Sequence, residues 1–188
     1  MIPKALIKLL TQPLLAQAYR FLRDRRNSVY DLRLSGDYRS WEEAVSTSTG
    51  YDSEIILEKT KTALLQVKNG RAVYERDSVV FDEIQYAWPL LAGLLWVAAQ
   101  SGGRLNVLDF GGSLGSTYFQ NRTFLHPLTH VRWNVVWNVV EQPQHVKTGK
   151  EWFEDEHLKF YLRVEDCVAE TQPNVVLLSG VLQCLEHT

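Results

Sequence analysis

The stretch VLDFGGSLGS, residues 107–116, constrains this chain more than any other. An apolar run ends in Asp109 and Phe110, then breaks into a turn carrying Gly111, Gly112 and Gly115 before a helical pattern begins. The run itself, RLNVLDF, has the nearly continuous character of a short strand buried in a parallel sheet. A strand that enters a helix through a glycine turn is the opening of a βαβ unit, whose crossover is right-handed.

The pattern continues downstream. VRWNVVWNVVE predicts a second strand, a helix follows from about Pro143 to Glu154, LKFYL is a short third strand, and NVVLLSG is a fourth. Strands alternating with helices of roughly ten residues predict an α/β fold. The expectation is a Rossmann-like, doubly wound parallel sheet of about four strands over residues 103–188, preceded by a helical N-terminal segment. Ligands of such sheets bind outside the carboxyl ends of the strands, where strand order reverses. Glycines at that end let the backbone approach a ligand, and the amides of the following helix favour a negative group.

Ahead of the sheet, two stretches differ in character. Residues 1–28 are basic and leucine-rich, with Lys4, Lys8, Arg20, Arg23, Arg25 and Arg26 against Asp24. Ala16-Gln17-Ala18 looks like a secretory cleavage site, but Lys8, Gln12 and Pro13 interrupt the apolar stretch that a signal needs. The segment is too short and polar to span a bilayer. Two readings stand: an amphipathic helix in peripheral contact with the inner membrane face, or a helix packing its leucines on its own domain. Residues 29–102 form a helical segment or lid. Ser40 and Glu43 form a capping box, Asp52 caps a helix that ends at Gly70, and a third helix through YAWPLLAGLLWVAAQ stops at Gly102-Gly103. Pro89 either starts that helix or bends it.

Charge and residue spacing exclude several functions. A net charge of −2 gives no overall attraction to nucleic acid, and the aromatics are scattered rather than interleaved with a basic patch. His126 and His130 lack an accompanying acidic motif, and Pro127 discourages a regular helix between them, so no metal site is expected. Cys167 and Cys184 lie outside any metal or redox spacing, which points to a reducing, cytoplasmic setting.

The turn does not fit the dinucleotide fingerprint, because its glycines are out of step with G-x-G-x-x-G. Asp109, Gly111, Ser113 and Gly115 instead give acid-x-G-x-S-x-G. This resembles motif I of the class I S-adenosylmethionine-dependent methyltransferases, where the turn lies against the cofactor's methionine portion. In that superfamily an acid closing the second strand accepts hydrogen bonds from both ribose hydroxyls, and Glu141 closes WNVVWNVVE. The interval from Gly115 to Glu141 exceeds the roughly 20 residues usual between such landmarks. The direct repeat of Trp133–Val136 in Trp137–Val140 accounts for most of the excess. Two outcomes stand for such a duplication: a longer strand or loop, in which four extra residues keep every later side chain on its face, or a structural cost to the sheet.

Taken in order, GDYRSWEEA, GYD, YERDSVVF, VLDFGGSLGSTYF, WNVVEQP and LLSGVLQCL are similar to a group of bacterial methyltransferases often found near surface-polysaccharide genes, from about residue 35 onward. The resemblance implies S-adenosylmethionine as cofactor and a small polar molecule or saccharide as methyl acceptor. It also places Gly112, Ser179, Gly180 and Val181 at the cofactor, with Gln183 near the pocket and Asp166 at the adenine edge. Tyr118 is either a cofactor-lining or a core side chain, and Asp77 and His145 are the available bases for an alcohol acceptor. A complete class I domain has strands beyond the fourth, so the chain is expected to be a C-terminally truncated domain. The alternative is an inactive fragment or interaction module that associates with itself through an uncovered sheet edge.

Overall fold

The computed structural model describes residues 37–47, 53–129 and 134–186. The expected helix over residues 1–28, the cap at Asp52, His130 and the first tryptophan of the repeat, Trp133, lie outside them. The chain divides into two units at Ser46. In the first, helix α1 (Trp41–Ser46) starts as its sequence predicts. The Glu43 amide donates to Ser40 Oγ at 3.2 Å, while the Glu43 carboxylate accepts from the Arg39 amide at 2.9 Å, one residue before the position that closes a standard capping box.

The second unit opens with α2 (Glu54–Lys68), which buries Leu57, Leu64 and Val67. Gly70, at φ +71°, ends it. The Arg71 amide donates to Gln66 O and the Gly70 amide to Val67 O, the paired bonds of a Schellman motif. The segment YERDSVVF, expected in a mainly helical region, is instead an antiparallel hairpin, β1 (Tyr74–Arg76) and β2 (Val79–Phe81). Its turn puts Asp77 and Ser78 both at positive φ, the pairing that matches the twist of two-residue hairpins. Helix α3 (Trp88–Gln100) carries Pro89 in its first turn, so the proline starts the helix. The Gly103 amide closes its far end on Ala98 O at 2.8 Å.

The sheet follows as β3 (Arg104–Phe110), β4 (Asn134–Val140), β5 (Leu158–Tyr161) and β6 (Val175–Leu177). Between them run α4 (Ser116–Thr129), α5 (Pro143–Trp152) and α6 (Val164–Thr171). All pairings are parallel and the spatial order is β5-β4-β3-β6. The chain winds outward from β3 through β4 to β5, then returns to place β6 on the other side of β3. This is the doubly wound, Rossmann-like α/β arrangement, with its reversal between β3 and β6. Helix α4 continues to Thr129 through Pro127, contrary to expectation. A proline that close to the helix end removes an amide bond from the last turns without ending the helix earlier.

The tandem repeat is accommodated by strand length. β3 and β4 pair residue for residue over 7 positions, from Arg104↔Asn134 to Phe110↔Val140, with no bulge. Val107, Trp137, Val139 and Phe160 belong to the main core. On the opposite face, Leu108, Val140, Tyr161 and Cys167 form a smaller cluster. Beside it, Asn138 Nδ2 donates to Asn106 Oδ1 at 2.6 Å and Asn106 Nδ2 donates to Thr171 O, tying the end of α6 to the sheet.

Two helical glycines test this packing. A Cβ on Gly149 of α5 would lie within 2.7 Å of Cγ, Cδ1 and Cε1 of buried Phe160, whereas one on Gly93 of α3 meets nothing within 4 Å. Gly149→Ala is expected to cost ~1–3 kcal/mol by overpacking, and Gly93→Ala to add ~1 kcal/mol through helix propensity. Urea unfolding of both variants reads the opposite signs.

Candidate functional site

The glycine turn leaves the carboxyl end of β3 at the point where strand order reverses. Gly111 adopts φ +72°, and its amide donates to Val140 O at 3.0 Å. A Cβ there would come within 2.5 Å of Val181 Cγ2, so the segment after β6 closes directly over Gly111. Gly112 is needed for a different reason. Its Cβ would fall 2.5 Å from Asp109 Oδ2, so the aspartate carboxyl fills the space beneath the turn.

Asp109 is buried, and its Oδ2 accepts from Trp137 Nε1 at 2.9 Å. Burial raises its pKa to about 7; the Trp137 bond opposes the shift and the charge of Glu141 adds to it. Ser113 stands at φ +54° and donates its amide to Glu141 Oε1 at 3.2 Å. The other carboxylate oxygen, Oε2, accepts from the Gln142 amide at 2.7 Å. Glu141 therefore faces the turn from the end of β4, as its place in the sequence predicts.

A third acid, missed in the sequence, completes the surroundings. Glu75 of β1 is 2% exposed, and its Oε2 accepts from Ser116 Oγ at 2.5 Å at the start of α4. Its Oε1 accepts from the Ser78 amide at 2.7 Å. Burial pushes the Glu75 pKa up, the bonds from Ser116 and Ser78 pull it back, and the charge of Asp77 adds to the rise. Asp77, the acid chosen from sequence in this segment, sits at the hairpin tip with its side chain 92% exposed and 3.7 Å from Arg76. Recognising Asp77-Ser78 as the turn would have put Glu75 on a strand.

The remaining positions sort as follows. Ser179 and Gly180 follow β6 as exposed residues, and Val181 is half-buried over Gly111. Gln183 donates Nε2 to Gly180 O at 2.6 Å, which commits it to the local turn. Tyr118 is a core side chain, edge-on to Phe119 and 6.1 Å from Trp137. His145 is buried in the first turn of α5, its Nδ1 without a hydrogen-bond partner among the described residues. Asp166 is exposed in the first turn of α6. Among the described residues no group of acids, histidines and cysteines could hold a metal, and no helix is long and apolar enough to cross a membrane. Cys167 and Cys184 are free.

The structure thus brings together Asp109, Gly111, Gly112, Ser113, Glu141 and Val181, and adds Glu75. Comparison of the chain with family models, with curated proteins and with solved structures gives no match to any of them.

Proposed function

We propose that the chain binds S-adenosylmethionine at the glycine turn as a class I methyltransferase, with a sugar or other small polar molecule as methyl acceptor. The observation that carries this reading is the set of carboxylates around the turn. Glu75, Asp109 and Glu141 arrive from three separate elements and are held by serine, tryptophan and backbone donors, with no lysine or arginine paired to them among the described residues. A phosphate ligand would meet acid where the helix amides ordinarily welcome an anion, because Glu75 already occupies that end of α4. A ligand carrying sulfonium and ammonium groups suits the charge of Glu141, while Glu75 and Asp109 hold the turn from behind and beneath.

Glu141 is only partly buried and accepts one amide bond at each oxygen, which leaves acceptor capacity for two ribose hydroxyls. When bound, the cofactor supplies an electrophilic methyl group. The chain itself supplies alignment: Gly111 and Gly112 let Val181 and the Asp109 carboxyl pack directly on the turn, which fixes its backbone beside Glu141. Free cysteines fit a cytoplasmic setting, and the sequence resemblance suggests surface-polysaccharide assembly as the context.

Titration calorimetry with S-adenosylhomocysteine tests this. Saturable binding is expected, and Glu141→Ala should weaken it about 100-fold, the loss of two hydrogen bonds to a charged group. Equal affinity in the variant would overturn the assignment. An absence of heat from a folded, monodisperse sample would favour a second reading, an interaction module. Val176 of β6 and neighbouring Leu178, 61% and 45% exposed, give that reading its basis, since exposed apolar groups on a short strand invite association.

A further inference from the structure

Glu75 does more than add charge to the site. From Tyr74 to Trp88 the chain runs along one face of α4 and is fastened at three successive turns of that helix. Ser116 Oγ donates to Glu75; Gln120 Nε2 donates to Tyr74 Oη at 3.3 Å and to Gln85 O; Phe124 meets the rings of Tyr86 at 4.9 Å and Trp88 at 5.7 Å. Ser116, Gln120 and Phe124 are spaced by four, so they share a face. Among the described residues, Glu75 makes the attachment that lies next to the glycine turn, at the first residue of α4.

Glu75 is also fixed from behind. The Ser78 amide donates to Oε1, and Ser78 Oγ lies 2.8 Å from Thr60 Oγ1 on α2. A chain of hydrogen bonds therefore runs from α2 through the hairpin to the first residue of α4. Within the turn, the Gly115 amide donates to Gly112 O at 3.0 Å and the Phe119 amide to Gly115 O at 3.1 Å. Holding Ser116 holds the register of both bonds, and with it the Ser113 amide that meets Glu141.

We propose that Glu75 is a positioning residue for the glycine turn, acting through Ser116 Oγ to hold the Ser113–Glu141 contact in place. The proposal rests on the cofactor reading for its functional meaning, but its structural content can be measured without any ligand. Amide hydrogen exchange in Glu75→Ala should rise about tenfold at residues 113–119. Exchange at Leu108 and Asn138, paired in the centre of β3 and β4, should stay unchanged, because Gln120 and Phe124 keep the strap on α4. Ser116→Ala should reproduce the pattern, and the double variant should exceed Glu75→Ala by less than about twofold, since Glu75→Ala already breaks the link to Ser116. Glu75→Gln keeps both links, its Oε1 accepting from the Ser78 amide and its Nε2 donating to Ser116 Oγ, and should restore exchange to within about threefold of the parent.

Calorimetry with S-adenosylhomocysteine should follow the same order, with about tenfold weaker binding in Glu75→Ala and Ser116→Ala and rescue by Glu75→Gln. Unchanged exchange at residues 113–119, or effects of Glu75→Ala and Ser116→Ala that add in full, would overturn the proposal. If Glu75→Ala unfolds the chain, Ser116→Ala carries the test alone, because it removes only a hydroxyl. A parent chain that binds no S-adenosylhomocysteine yet shows the localised exchange pattern would refute the cofactor reading and leave the positioning role standing.

Discussion

Between pH 4 and pH 7 the folded chain is expected to lose about 4 kcal/mol of stability that the Asp109→Asn variant keeps. The cause is the buried carboxyl beneath Gly112, whose pKa rises from the ordinary 3.8 to about 7 on folding. Below the ordinary value both states carry the proton and Asp109 contributes nothing to the pH dependence. Above it the unfolded chain releases the proton while the folded chain retains it, so rising pH favours unfolding by ~1.4 kcal/mol per pH unit until the folded pKa is passed. Above pH 7 the loss is complete. Asparagine leaves an acceptor for Trp137 Nε1 and removes the titration. Urea unfolding of both proteins at pH 4 and pH 8 checks the expectation: near-equal stability at the lower pH and a variant more stable by ~3–4 kcal/mol at the higher. Parallel curves across that range would show that Asp109 is charged in the folded chain at pH 4.

Asp109 also illustrates what a sequence conceals. Its position before the glycines is legible, as are the four parallel strands, the register kept by the WNVV repeat, and Glu141 at the end of β4, because strand–turn–helix alternation reports topology directly. The direction in which Asp109 points is not legible. It follows from the pleat: Val107 and Asp109 share the face that packs on Trp137, so the carboxyl lies under the turn and acts on a ligand only through the turn. The hairpin was hidden because strands of 3 residues show no period and Asp-Ser is a weak turn signal. Glu75 was hidden for a related reason. An acid in a short strand reads as solvated, and only the meeting of β1 with the start of α4, 41 residues apart in the chain, buries it.

Replacing Trp137 by alanine is expected to cost ~3–5 kcal/mol, a large share of the ~5–15 kcal/mol that holds a domain of this kind folded. Trp137 is fully buried, contributes to the main core from the middle of β4, packs near Tyr118, and is the hydrogen-bond donor to Asp109. Packing and hydrogen bonding can be separated with Trp137→Phe, which keeps an aromatic ring and removes the indole N–H. That bond lowers the Asp109 pKa against the effect of burial, so its loss lets the pKa rise further. The sign of the consequence is fixed: the penalty for ionising Asp109 grows, so Trp137→Phe should cost ~1 kcal/mol at pH 5 and ~2–3 kcal/mol at pH 9, where an ionised buried carboxylate has lost its donor. In an Asp109→Asn background the same change should cost nearly the same at both pH values. Urea unfolding of the four proteins at the two pH values measures the coupling. A pH-independent cost in the parent background would mean that the indole N–H serves packing alone, and that the second copy of the repeat is kept for volume rather than for its hold on the acid beneath the glycine turn.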